Sequence, residues 1–156
     1  MKKTIIFDAS LDIGPSDVAT YDAQLSDASL EELLTIFPGR MYIFFEPSRE
    51  YVRISGDIGY YMQQIKMALD WIDAGGPEAS LVSADYYSNS ITFTFDTTHG
   101  ILELYELNCG QFRIATKYSL FRKMFYAFAE TLKKRMINYR PSLVGNQVFR
   151  ELWRQG

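Results

Sequence analysis

The spacing of apolar positions divides the chain into short strands and three longer helical stretches. Lys3 to Phe7 reads as a first strand. Asp8 to Ser26 follows with no sustained period, carries Asp8, Asp12, Asp17 and Asp22 around Gly14-Pro15, and reads as a long loop. Ser29 and Glu32 stand at the spacing of a capping box, and Leu30, Leu33, Leu34 and Phe37 then mark one helix face until Pro38-Gly39. Met41–Phe45 and Tyr51–Ile54, joined by Pro47-Ser48-Arg49-Glu50, fit a hairpin.

A second helix begins at Asp57, a candidate cap. Ile58, Tyr61, Met62, Ile65, Leu69 and Ile72 hold the 3.6-residue period until Gly75-Gly76-Pro77. Four apolar runs follow, Leu81–Tyr87, Ile91–Phe95, Ile101–Leu107 and Phe112–Thr116. Turns as short as those between them permit only an antiparallel meander. Ile91, Phe93 and Phe95 alternate with Thr92, Thr94 and Asp96, which predicts one buried sheet face. A third helix is expected from Tyr118 to Tyr139, about 33 Å long at 1.5 Å per residue. Its apolar stripe is Phe121, Met124, Phe125, Phe128, Leu132 and Met136, with Arg122, Lys123, Glu130 and Lys133 lying away from it. Pro141 ends it, and Gln147–Arg154 reads as a closing helix with Val148, Leu152 and Trp153 inward. The expected fold is α+β, a single domain over residues 1–156 in which helices cover mainly one face of an antiparallel meander.

Composition sharpens this picture chiefly by exclusion. With 47% hydrophobic and 22% charged residues, the 156-residue chain falls outside the disordered, collagen-like and disulfide-stapled classes. Cys109 has no second cysteine to pair with, and Met1-Lys2-Lys3-Thr4-Ile5-Ile6-Phe7-Asp8 meets a carboxylate too early for a signal-peptide core. A reducing cytoplasm is the expected setting. The apolar stretch Phe121–Met136 contains Arg122, Lys123, Glu130, Lys133, Lys134 and Arg135, which argues against a membrane span.

Charge is distributed unevenly. Residues 1–100 hold 15 Asp and Glu against 6 Lys and Arg, a balance of −9, while residues 101–156 hold 4 against 10, a balance of +6. An acidic first half opposes phosphate backbones and favours a basic protein partner; alternatively, the two charge sets fold against each other.

The candidate chemistry is sparse. His99 and Cys109 are each the only residue of their kind and fall in turns at opposite ends of a strand of about seven residues, roughly 20 Å apart. That is too far for a nucleophile and base, so both read as turn residues. One His and one Cys do not make a zinc site. Asp8, Asp12 and Asp17 invite a hard cation only if their loop folds around it, and Asp is common in plain loops. Gly56 and Gly59 lack the rest of a phosphate-binding motif. Neither a catalytic set nor a metal or cofactor is expected. Lys133, Lys134, Arg135 and Arg140 form a basic cluster that either contacts nucleic acid or a lipid surface or, more simply, opposes the helix dipole. Tyr60-Tyr61 and Tyr86-Tyr87 are adjacent pairs, so one Tyr of each must face away from the core. Tyr86 or Tyr87 beside Asp85, together with Asp12, Asp17 and Asp22, are therefore the candidate partner contacts.

The stretch Tyr87-Ser88-Asn89-Ser90-Ile91-Thr92-Phe93-Thr94-Phe95-Asp96, the following Gly100-Ile101-Leu102-Glu103-Leu104-Tyr105 and the aromatic helix Leu120–Met136 resemble the small bacterial immunity proteins of polymorphic and contact-dependent growth-inhibition toxins. That resemblance covers about half the chain, and because those families share no signature motif it transfers no functional residue. It implies a cytoplasmic, non-catalytic inhibitor that binds one toxin domain, possibly a nuclease with a basic substrate cleft. An enzyme of unrecognised family acting on a small molecule, and a structural or assembly subunit, are the competing classes.

Overall fold

The computed structural model describes residues 4–12, 25–46, 48–82, 90–106 and 113–155. Its strands divide between two antiparallel sheets. The first holds β1 (Ile5–Leu11), β2 (Pro38–Phe45) and β3 (Glu50–Asp57), in that order. The second is the expected four-stranded meander, β4 (Glu78–Val82), β5 (Ser90–Asp96), β6 (Ile101–Glu106) and β7 (Arg113–Lys117). The helices are α1 (Leu30–Thr35), α2 (Ile58–Asp73), α3 (Tyr118–Tyr139) and α4 (Gln147–Glu151), with 3-10 turns at Leu25–Asp27 and Pro141–Gly145. The class is α+β, as the pattern predicted.

β1 runs further than Lys3–Phe7 and takes in Asp8 to Leu11, which the sequence assigned to a loop. Ile5, Phe7 and Ala9 are buried while Ile6, Asp8 and Ser10 face out, so the Asp8 carboxylate breaks no apolar face. β2 likewise begins at Pro38, in the dipeptide expected to end the first helix, which stops earlier, at Thr35. A Cβ added at Gly39 stands 2.0 Å from the Ser10 carbonyl oxygen, so only glycine lets β1 and β2 approach here.

Ser29 caps α1, its hydroxyl accepting the Glu32 N–H at 3.3 Å. Asp57 occupies the same position before α2 but makes no side-chain capping bond, contrary to expectation. The predicted α2 stripe is buried throughout, and Gly59 brings that helix to within van der Waals distance of the α1 backbone at Leu34.

α3 packs against both sheets. Phe7 of β1 meets Phe121, Phe125 and Phe128 at ring separations of 5.3, 6.1 and 5.7 Å, and Phe93 of β5 meets Phe121 at 6.0 Å. One buried cluster thereby spans the two sheets. On β5, Ile91 and Phe93 are buried as predicted, but Thr92 on the opposite face is buried too.

Two expectations fail near the C-terminus. Lys133, placed outside the core by its charge, is only 7% exposed, because its Nζ donates to the carbonyls of Arg150 (2.9 Å) and Leu152 (3.0 Å). Val148 is 43% exposed and Phe149 is buried in its place. The helix is cut short at Glu151, and Asn146 sets its phase, accepting the Phe149 N–H while its amide donates to the carbonyls of Leu25 (2.7 Å) and Ala28 (2.9 Å). Leu152 and Trp153 point inward as expected.

If the α3 aromatics join the sheets, Phe125→Ala costs about 3–5 kcal/mol in urea unfolding. A loss below about 1 kcal/mol would make the helix peripheral.

Candidate functional site

At 100° per residue, Tyr60, Gln64, Met67 and Trp71 lie on the side of α2 opposite its buried stripe. Three of them are large and apolar, yet Tyr60, Met67 and Trp71 are 41%, 61% and 57% exposed. Of the adjacent tyrosines, Tyr61 is buried and Tyr60 outward, with their rings edge to face at 5.7 Å. Trp71 is held in place by the turn that ends the helix. The Gly76 N–H donates to the Trp71 carbonyl at 2.9 Å, and a Cβ at Gly76 would stand 2.0 Å from the indole Nε1, so the ring lies over the glycine. Restraint of this kind lowers the entropy lost on contact with a partner. The periodicity that defines the buried stripe equally defines its reverse face, so Met67 and Trp71 are legible in the sequence only when the outward side of the same period is followed.

A polar cluster joins the C-terminal end of α2 to α3. Asp73 accepts from the Tyr118 hydroxyl at 2.5 Å and from Arg122 Nε at 2.9 Å, and the same hydroxyl lies 3.1 Å from the Leu69 carbonyl oxygen. Burial, and then Asp73, push the Tyr118 phenol well above the usual tyrosine range. The Arg122 guanidinium lies over the Tyr126 ring at 5.2 Å. Tyr126 is itself raised by burial and by Asp70, and its hydroxyl is buried with no hydrogen-bond partner. Phenols displaced in this direction stay protonated at neutral pH and are poor bases, so the cluster serves as an interhelical clamp.

Of the candidate contacts, Asp12 lies just past β1, exposed, with its N–H bonded to the Pro38 carbonyl at 2.8 Å. Asp17, Asp22, Asp85, Tyr86, Tyr87 and Cys109 lie outside the described residues. His99 is exposed in the β5–β6 turn, its Nδ1 2.7 Å from the Asp96 carboxylate. Chiefly through that bond, Asp96 is held below the usual carboxylate range. His99 is thus a turn residue, as its position suggested. Asp8 pairs with Arg135 at 3.2 Å, and among the described residues no three His, Cys, Asp or Glu side chains converge as metal ligands.

The basic cluster disperses. Lys133 ties down the C-terminal segment, Arg135 reaches Asp8 and the Ala9 carbonyl, and Arg140 is buried with Nη1 3.3 Å from the Tyr139 carbonyl. Lys134 alone of the four is classed with the exposed residues. No helix among the described residues is long and apolar enough to cross a membrane. Comparison of the chain with protein-family models, curated proteins and solved structures finds no match.

The raised Tyr118 phenol has a measurable consequence. The folded state keeps its proton where the unfolded phenol ionises near pH 10, so stability is complete below that pH and falls as pH rises through it. The stability advantage of the native chain over Tyr118→Phe is expected to narrow between pH 9 and 11 in urea titrations. A constant difference would show that the phenol is not perturbed.

Proposed function

We propose that this chain is a non-catalytic, cytoplasmic binding protein, an immunity protein that covers a basic surface on a cognate bacterial toxin domain. The observation that carries this reading is the exposed Tyr60, Met67 and Trp71 on α2. Trp, Tyr and Met are the residue types enriched at interface centres, and Trp and Tyr dominate measured binding hot spots. Glu31, Glu32 and Asp70 are exposed on α1 and α2, in keeping with the acidic balance of the first hundred residues. Asp12, Asp17, Asp22, Asp85, Tyr86 and Tyr87 remain proposed contacts. The proposed complex involves no nucleic acid, cofactor or membrane.

Purification of the chain from its native cells tests the class directly. A basic protein at one-to-one stoichiometry is the expected companion, whereas a bound small molecule in its place would favour an enzyme. With that partner in hand, Trp71→Ala is expected to weaken binding by about 2 kcal/mol or more while leaving folding stability within about 1 kcal/mol. Reversing Asp12, Asp17 and Asp22 together is expected to slow association at low salt and to matter little at high salt, where screening is short-ranged. Association rates independent of both the salt and the triple variant would remove the electrostatic part of the reading.

A further inference from the structure

The outward side of α2 carries a pattern of its own. Tyr60, Gln64, Met67 and Trp71 are separated by four, three and four residues, the alternation that seats one helix along another in a two-helix seam. At 1.5 Å per residue that seam is about 17 Å long, about three helical turns. Tyr60, Met67 and Trp71 are exposed along it, and the Trp71 ring is already seated on Gly76.

A groove adjoins the seam. Gln63 and Lys66 of α2, Leu30 of α1, and Val148 and Glu151 of α4 line a cavity of about 500 Å³ together with the buried Trp153. Gln63 stands three residues after Tyr60 and four before Met67, so it is a surface neighbour of both, and the groove opens on the flank of the seam. Leu30 and Val148 are exposed, which carries the apolar surface of α2 onto α1 and α4.

Charge says what this surface can receive. From residue 25 to 35 and from 57 to 73 the chain holds Asp27, Glu31, Glu32, Asp57, Asp70 and Asp73 against Lys66 alone, a balance of −5. Lys66 is paired with Asp70 at 2.6 Å, and Asp73 with Arg122 at 2.9 Å. Asp27, Glu31 and Glu32 stay exposed, with no cation in either segment to offset them. Glu31 stands one turn before Leu34, whose backbone meets α2 at Gly59, the neighbour of Tyr60. Such a face repels an anionic membrane and a nucleic acid, and it also repels a second copy docking symmetrically, since both copies then present the same carboxylates.

We propose that the outer face of α2, with the groove beside it, is the docking site for one cationic amphipathic helix of a partner protein. Apolar side chains at three- and four-residue spacing on that helix pack between Tyr60, Met67 and Trp71, a further one enters the groove between Leu30 and Val148, and its flanking Lys or Arg side chains meet Glu31. The inference rests on the reading of the α2 stripe as a binding surface and not on the partner's being a toxin.

The test uses the full chain and three stapled helical peptides of about 14 residues, about four turns each. One has leucines at heptad seam positions and lysines on the flanks, the second has the same seam with glutamate flanks, and the third scrambles the first off its seam. Trp71 is the reporter, because the other tryptophan, Trp153, is buried. The cationic seam peptide is expected to bind at least about tenfold more tightly than the other two at physiological salt and to shield Trp71 from acrylamide. Met67→Asp is expected to weaken that binding about tenfold or more, and Ile6→Asp, at an exposed apolar position on β1, to leave it unchanged. Glu31→Lys combined with Asp70→Asn is expected to narrow the preference for the cationic over the anionic peptide about tenfold, read by fluorescence anisotropy. Should Met67→Asp not fold, the charge variant and the quenching decide. The proposal is overturned if the scrambled or the anionic peptide binds as well as the cationic one, if Met67→Asp folds and retains full affinity, or if the charge variant keeps the preference. Shielding of Trp71 by rising protein concentration alone would assign the face to a second copy and overturn it too. A native partner that shields Trp71 when the cationic peptide does not would overturn the helical occupant and leave the surface an interface, whereas no shielding by either would remove both readings.

Discussion

The packing of Phe7 against Phe121, Phe125 and Phe128 is the contact on which the rest of the molecule depends. Among the described residues the strands of the two sheets hydrogen-bond within each sheet and not across, so side chains carry much of their relative placement. α3 supplies those side chains along one face, touching β1 through Phe7 and β5 through Phe93. Aromatic rings suit this role because each buries a large area and prefers edge or offset contacts, which restrict sliding between layers.

Around this core, charged groups fasten elements that apolar packing alone would leave free to shift. Asp73, Tyr118 and Arg122 fix α2 to α3, Asp8 and Arg135 fix β1 to α3, and Lys133 fixes the C-terminal turn. Most of the basic cluster is consumed in this way. Three of the four cations in the Lys133–Arg140 segment are so engaged or buried, which breaks up the basic patch that the sequence alone suggests. The negative surplus of the first hundred residues is less committed, with Glu31, Glu32 and Asp12 exposed. That surplus and the exposed aromatic stripe of α2 are the two features on which the proposed function rests.

Much of this was legible in the chain itself. Local periodicity determined the helices: the 3.6-residue recurrence from Ile58 to Ile72 and from Phe121 to Met136, and the breaks at Gly75-Gly76 and Pro141, required no knowledge of neighbours. Alternation and short turns likewise determined the meander, and adjacency alone required that Tyr60 and Tyr61 part company. Tertiary structure decided whatever depends on contacts distant in sequence. Asp8 to Leu11 became strand because β2 paired with it, Val148 yielded to Phe149 because Asn146 is anchored on Leu25 and Ala28, and Lys133 went inside because distant carbonyls needed its amine. A polar residue's place depends on whether a partner is waiting for it, and that partner is supplied by the fold.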